Sequence, residues 1–133
     1  MSGPAIRVLL VDEDGETRAA IADRIGRLEG MELAGATGDM QGVRDLLHSA
    51  PADVILLDLH QYGQDGGVCR SIRALTDLPV IVLASFMTVE RWHEASAAGA
   101  TAYVLKNIDT EQLSREIKEV AAESRRGSGG RRE

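Results

Sequence analysis

The chain has 133 residues, of which 44% are apolar and 27% charged, a composition typical of one globular domain. Its single cysteine, Cys69, excludes an intramolecular disulfide, and no apolar run approaches the roughly 20 residues that cross a bilayer. The net charge is −6, and residues 1–122 hold 11 basic and 19 acidic side chains, which argues against direct nucleic-acid binding. Because the first residues lack a signal peptide, we expect a cytoplasmic protein without membrane contact.

Short apolar runs alternate with helical periodicity five times along the chain. Apolar runs that predict strands occupy residues 6–11, 31–36, 53–59, 79–84 and 103–105. A helical pattern follows each run, with a glycine-rich turn at 63–67 before the third helix. The apolar positions of these helices are Ala20, Ile21, Ile25 and Leu28; Val43, Leu46 and Leu47; Val68, Ile72 and Leu75; the Ala-rich residues 89–98; and Leu113, Ile117 and Val120.

Polar and glycine residues predict where several helices begin and end. Asp14 and Asp109 stand where helix N-caps are expected, and Gly99 stands where the fourth helix ends. Five strand–helix units in residues 1–122 predict an α/β fold, a doubly wound parallel sheet with helices on both faces. The Arg- and Gly-rich residues 123–133 predict a flexible linker or tail.

Charged residues follow three of the predicted strands, at the edge where such sheets form their sites. The first strand ends in Asp12-Glu13-Asp14, the third in Asp58 and the fifth in Lys106. Carboxylates gathered there need a cation, and Mg²⁺ fits because it takes one or two carboxylates and keeps waters for a phosphate. The structural alternative is that single acidic residues cap the next helix, as Asp14 does. Asp58 resists that explanation, since it follows four apolar residues of a central strand.

Several separated motifs occur in the order found in one protein family. Val11-Asp12-Glu13 is similar to its acidic pair, and the segment 53–59 is similar to the one that carries its phosphoacceptor. Asp65-Gly66 lies seven residues beyond Asp58, and Gly99-Ala100 precedes the aromatic-x-x-Lys pattern of residues 103–106. From residue 6 to about 122 the chain resembles the receiver domains of two-component response regulators, and most closely the NarL/FixJ type.

The resemblance implies a flavodoxin-like sheet with strand order 2-1-3-4-5 and a regulatory phosphoacceptor rather than an enzyme. Asp58 would accept a phosphoryl group from the phosphohistidine of a sensor histidine kinase. Mg²⁺ would be bound by Asp12, Glu13, Asp58 and the backbone carbonyl of His60. Lys106 would pair with the carboxylate and then with the phosphoryl group. The readout would be homodimerisation or release of an output domain.

The chain departs from the family pattern at the acidic pair, the loop and the switch. Glu13 stands where many relatives have aspartate, and Tyr62 stands where a proline usually follows the phosphoacceptor. Counting back 22 residues from Lys106, the family's switch hydroxyl (Ser or Thr) falls on Ala84. The neighbouring Ser85 would face the other way on a continuing strand. Tyr103 is the switch aromatic by resemblance. We therefore expect phosphorylation with weakened coupling to conformation.

Other interpretations remain open at the level of sequence. The NarL/FixJ resemblance implies a DNA-binding helix-turn-helix output domain outside this chain. The alternative is a stand-alone receiver. Ala84 and Tyr62 also fit an atypical receiver that binds partners without phosphorylation. An aspartyl-nucleophile phosphatase of the haloacid-dehalogenase type is disfavoured, because His60 stands where that family has its second aspartate. Cys69 is expected as a small buried hydrophobe, and Trp92 either as core or as an exposed interface anchor.

Overall fold

The computed structural model describes residues 4–58 and 65–130 of the chain. The strands are β1 (Ile6–Asp12), β2 (Met31–Thr37), β3 (Val54–Asp58), β4 (Val80–Ala84) and β5 (Ala102–Leu105). The helices are α1 (Gly15–Gly26), α2 (Met40–Ser49), α3 (Asp65–Leu75), α4 (Val89–Ala97) and α5 (Thr110–Gly130). The strands form one parallel sheet in the order 2-1-3-4-5, which confirms the expected doubly wound α/β fold.

The central strands are buried because helices cover both faces of the sheet. Successive residues of a strand face opposite sides, so Leu10 packs in one apolar layer and Leu9 in the other. The first layer joins the sheet to α1 and α5, and the second joins it to α2, α3 and α4. All five residues of β3 and all five of β4 are buried, as continuous apolar runs predict.

Three predicted helix caps are present. The Asp14 side chain accepts a hydrogen bond from the Thr17 amide at the start of α1. Asp109 accepts one from the Gln112 amide at 2.9 Å before α5. Gly99 follows α4 with φ of 107°, a left-handed conformation that glycine adopts without strain. Each cap satisfies backbone groups that a helix end leaves without an intrahelical partner.

Two local expectations differ from the structure. Helix α3 begins at Asp65, inside the turn expected over 63–67, whose residues 63 and 64 lie outside the described part of the chain. Leu75 was expected on the buried stripe but is 41% exposed, because it is the last residue of α3. Helix α5 continues to Gly130 and so includes residues 123–130. Extending a formed helix requires ordering only one residue per added hydrogen bond. The role of residues 123–133 as a flexible linker or tail stays a prediction.

Cys69 is buried in α3 with 1% of its surface exposed, which confirms it as a small buried hydrophobe. Burial raises the pKa of the thiol above its ordinary value of 9.0, against the opposing effect of the nearby Arg73 and Arg70 guanidinium groups. The pKa of the thiol is therefore higher in the folded chain than in the unfolded chain. Its contribution to stability is complete below 9.0 and declines as pH rises past that value.

We expect the thiol of the folded protein to react with iodoacetamide at least about 100-fold more slowly than the thiol of the urea-unfolded chain, because reaction requires opening of α3. The urea midpoint should fall more steeply with pH above 9.0 in the wild type than in Cys69→Ala. Alkylation at equal rates in the two states would contradict the burial of the thiol. Equal pH slopes in the two proteins would contradict the raised pKa.

Candidate functional site

Two acidic side chains lie side by side at the carboxyl edge of the sheet. Asp12 ends β1 and Asp58 ends β3, and the two residues are direct partners in the parallel register of these strands. Asp12 is 0% exposed and Asp58 is 3% exposed, and among the described residues they are the charged side chains that are buried. Burying carboxylates together is costly unless a cation compensates their charge. The edge is therefore built to hold positive charge.

Lys106 supplies one such charge. It follows β5, and its Nζ lies 3.0 Å from Oδ1 of Asp58, while its backbone amide donates to the Ala84 carbonyl at 2.9 Å. The lysine side chain is about one quarter exposed at 24%, so its ammonium group reaches inward from the rim of the site. The structure thus brings together Asp12, Asp58 and Lys106 from three strands.

The loop between β1 and α1 holds Asp12 in place. The backbone amide of Asp14 donates to Oδ1 of Asp12 at 3.0 Å. Nη1 of Arg18 donates to the Asp12 backbone carbonyl at 2.7 Å, so the loop is fixed from the first turn of α1. Glu13, the other member of the acidic pair, is exposed. Its carboxylate is free to approach a ligand from the solvent side of this edge.

The donor atoms suit Mg²⁺. Two carboxylates on adjacent strands offer hard oxygen ligands, and Mg²⁺ commonly takes one or two carboxylates and completes its shell with water and phosphate. Within residues 4–58 and 65–130, no group of three or more His, Cys, Asp or Glu side chains is arranged to hold a metal. His60, whose carbonyl is a predicted ligand, lies outside the described residues, as does Tyr62.

The predicted switch residues lie at the end of β4, directly after it, and within β5. Ala84 is buried as the last residue of β4, and Ser85 follows it and is exposed. Tyr103 is half-buried in β5 and donates its hydroxyl proton to the Phe86 carbonyl at 3.2 Å. Its ring meets that of Trp92 edge to face, with centroids 6.2 Å apart. Trp92 is half-buried against the second apolar layer, which is closer to the core interpretation than to the exposed one.

Sequence reasoning missed Arg24, which contacts the loop that carries Lys106. Arg24 lies in the last turn of α1 and donates from Nη1 to the Lys106 carbonyl at 3.3 Å and from Nη2 to the Ile108 carbonyl at 2.9 Å. These partners are 82 and 84 residues away along the chain. A polar residue on an amphipathic helix gives no sequence signal of such a contact, because solvent is its default neighbour.

Comparison with known proteins identifies a domain family that matches most of the chain. Residues 8–118 match the profile of the response regulator receiver domain. The transcriptional regulatory protein PrrA of Mycobacterium tuberculosis is 35% identical over 124 residues, covering 92% of this chain and 52% of the relative. LiaR of Bacillus subtilis is 34% identical over 85% of this chain and 54% of the relative. The chain spans about half the length of the curated relatives it matches.

Solved structures share the fold. The signal receiver domain of the response regulator NarL from Mycobacterium tuberculosis superposes with a TM-score of 0.76 at 18% identity, covering 90% of this chain and 98% of the other. A response regulator from Thermotoga maritima gives a TM-score of 0.75 at 23% identity, with coverage of 89% and 98%. None of the helices in the described residues is long and apolar enough to cross a membrane.

Proposed function

This chain belongs to the response regulator receiver domain family, and from that premise we propose that Asp58 accepts a phosphoryl group from the phosphohistidine of a sensor histidine kinase. The observation that carries the proposal is the buried Asp58 carboxylate, which lies beside Asp12 and 3.0 Å from Nζ of Lys106. A carboxylate held at the end of a central strand and facing the Lys106 ammonium group suits attack on a phosphorus atom.

The proposed transfer exchanges one bond for another. An Oδ atom of Asp58 attacks phosphorus, the bond from phosphorus to the imidazole nitrogen breaks, and the electron pair leaves with the imidazole. Lys106 neutralises Asp58 before transfer and holds a phosphoryl oxygen afterwards. Asp12, Glu13, Asp58 and the His60 carbonyl would hold Mg²⁺, which when bound neutralises charge on the phosphoryl oxygens.

Phosphorylation would change the charge at Asp58 and thereby the conformation at the end of β4. The aspartyl phosphate carries more negative charge and more acceptor oxygens than the carboxylate it replaces. Lys106 is hydrogen-bonded through its amide to β4, so a shift of its ammonium group is transmitted to the end of that strand. Tyr103 and Trp92 lie next to that end and would report or relay the change.

The longer relatives support a proposal for the role of the whole protein. DevR/DosR of Mycobacterium tuberculosis, 29% identical over 119 residues, is named a DNA-binding transcriptional activator. We propose that this receiver is joined to a DNA-binding output domain, so that DNA is contacted only through that domain, and that phosphorylation promotes homodimerisation. A stand-alone receiver is the alternative. The proposed location is the cytoplasm, where a histidine kinase presents its phosphohistidine.

One observation favours a second candidate function, a phosphorylation-independent interaction module. Ala84 offers no hydroxyl at the position of the switch residue, and the hydroxyl of Ser85 is on an exposed residue. A receiver that lacks this contact could bind a partner through its unmodified surface. In that case Asp58→Asn would leave partner binding unchanged, whereas a phosphorylation switch would lose its response.

The test is intact-mass spectrometry after incubation with acetyl phosphate and Mg²⁺. The wild type should gain one phosphoryl group, while Asp58→Asn should gain none and a chelator should abolish the gain. Asp77→Asn, which changes an exposed aspartate before β4, is the matched control and should behave as the wild type. An adduct that persists in Asp58→Asn would contradict the assignment. A folded wild type that gains no group would favour the interaction module.

A further inference from the structure

The turn between β5 and α5 is held from outside by the guanidinium group of Arg24. The turn places Lys106 at the site. Two backbone hydrogen bonds hold the turn: the Lys106 amide donates to the Ala84 carbonyl, and the Ile108 amide donates to the Leu105 carbonyl at 3.1 Å. Arg24 adds hydrogen bonds to the carbonyls of Lys106 and Ile108, one from each Nη atom. The two contacts bracket the turn and tie it to the last turn of α1.

An arginine is suited to this task for geometric reasons. Its guanidinium group is planar and carries donors in a fixed fork, so two carbonyls that accept from one fork are held at a fixed separation. Hydrogen bonds from a charged donor are also stronger than neutral ones. Arg24 is half-buried, which reduces competition by water for the carbonyls of Lys106 and Ile108. Movement of the turn would carry the lysine backbone with it.

We propose that Arg24 is a positioning residue for phosphoryl transfer, acting through Lys106. The inference rests on the proposed function of Asp58 and extends it to α1, a helix that contributes no side chain to the reacting atoms. The ammonium group of Lys106 must stay about 3.0 Å from Oδ1 of Asp58 to neutralise it. The turn positions the backbone from which the lysine side chain extends toward that carboxylate. Loss of the Arg24 contacts lets the turn and its lysine drift.

The C-cap residue of α1 offers a matched control. Arg27 lies three residues after Arg24, is exposed, and forms its ion pair with Asp23 within the same helical segment at 2.8 Å. Arg27→Met and Arg24→Met therefore remove the same charge and the same side chain from neighbouring positions. Only Arg24→Met removes hydrogen-bond donors that contact the turn carrying Lys106.

A double-mutant cycle on the rate of transfer from acetyl phosphate tests the proposal. Arg24→Met is expected to slow adduct formation about tenfold, because a small misplacement of a catalytic group has effects of this order or larger. Arg27→Met should leave the rate unchanged. In the Lys106→Met background, Arg24→Met should add less than about a twofold loss, because its effect passes through the missing lysine. Losses that multiply in the double variant would overturn the proposal.

A second measurement keeps the inference separate from the phosphorylation chemistry. Amide hydrogen exchange of Lys106 and Ile108 should be about tenfold faster in Arg24→Met than in Arg27→Met, with other amides of β4 and β5 unchanged. Arg24→Lys, which offers one ammonium in place of the fork, should show an intermediate rate of transfer and guards against misfolding of the methionine variant. Unchanged exchange at the turn would overturn the inference even if Asp58 is phosphorylated. Altered exchange without any wild-type adduct would refute the proposed function alone.

Discussion

Lys106→Met is expected to slow phosphoryl transfer to Asp58 about 100-fold, the usual effect of removing one donor from a site where charge develops. The lysine Nζ lies 3.0 Å from Oδ1 of Asp58 and places a positive charge against this carboxylate. Methionine keeps the length of the side chain and removes its charge and donors. The rate of adduct formation from acetyl phosphate, followed by intact mass, measures the effect.

The same substitution should also lower the stability of the metal-free protein. Removing Lys106 leaves the buried Asp58 carboxylate with less compensating charge, and because the lysine is partly exposed we expect a loss of about 2 kcal/mol in the free energy of unfolding. Mg²⁺ should recover part of that loss, since it replaces the missing positive charge beside Asp12 and Asp58. Urea unfolding with and without Mg²⁺ measures both quantities.

The control is Lys118→Met, which removes an exposed lysine of α5 without touching the site. It should change neither the rate of transfer nor the response of stability to Mg²⁺. If Lys106→Met transfers as fast as Lys118→Met, the lysine has no part in the reaction. If both variants lose stability equally, the ion pair with Asp58 contributes nothing measurable.

Ala84→Ser is expected to strengthen the coupling between phosphorylation and conformation about tenfold. A hydrogen bond to a charged group is worth about 1.5–3 kcal/mol, and each 1.4 kcal/mol corresponds to a factor of ten. The substitution adds one oxygen to a buried residue at the end of β4, next to the register position of Asp58 and Leu83. The added hydroxyl can then donate to a phosphoryl oxygen, which alanine cannot do.

The readout for this switch is built into the chain. Trp92 is its single tryptophan and meets the Tyr103 ring edge to face at 6.2 Å, so a change of Tyr103 should alter its emission. Phosphorylation should give a larger emission change in Ala84→Ser than in the wild type. Ser85→Ala is the control and should respond as the wild type does. Loss of the response in Ser85→Ala would mean that Ser85 supplies the hydroxyl by a local rearrangement.

Apolar periodicity determined the sheet and the place of the site. Runs such as 54–57 are apolar without alternation, which is typical of a strand covered on both faces. Five of them with intervening helices led to the parallel sheet, and parallel strands bring their carboxyl ends to one edge. Asp12, Asp58 and Lys106 were predicted on that ground and are found together there. Helix caps such as Asp14 could also be predicted from the sequence, because a cap contacts residues only three or four positions away.

Tertiary structure alone decided the contacts between distant elements. The fork of Arg24 on the turn after β5 spans more than 80 residues, and hydrophobic periodicity carries no information about which polar side chains meet. The exposure of Leu75 and the continuation of α5 to Gly130 depend on where α3 and α5 themselves end, which the local pattern does not specify. Burial can be predicted from a short-range pattern because it requires only that one face of a helix or strand be apolar. A hydrogen bond between distant elements requires two particular atoms within about 3 Å of each other, which such a pattern does not specify.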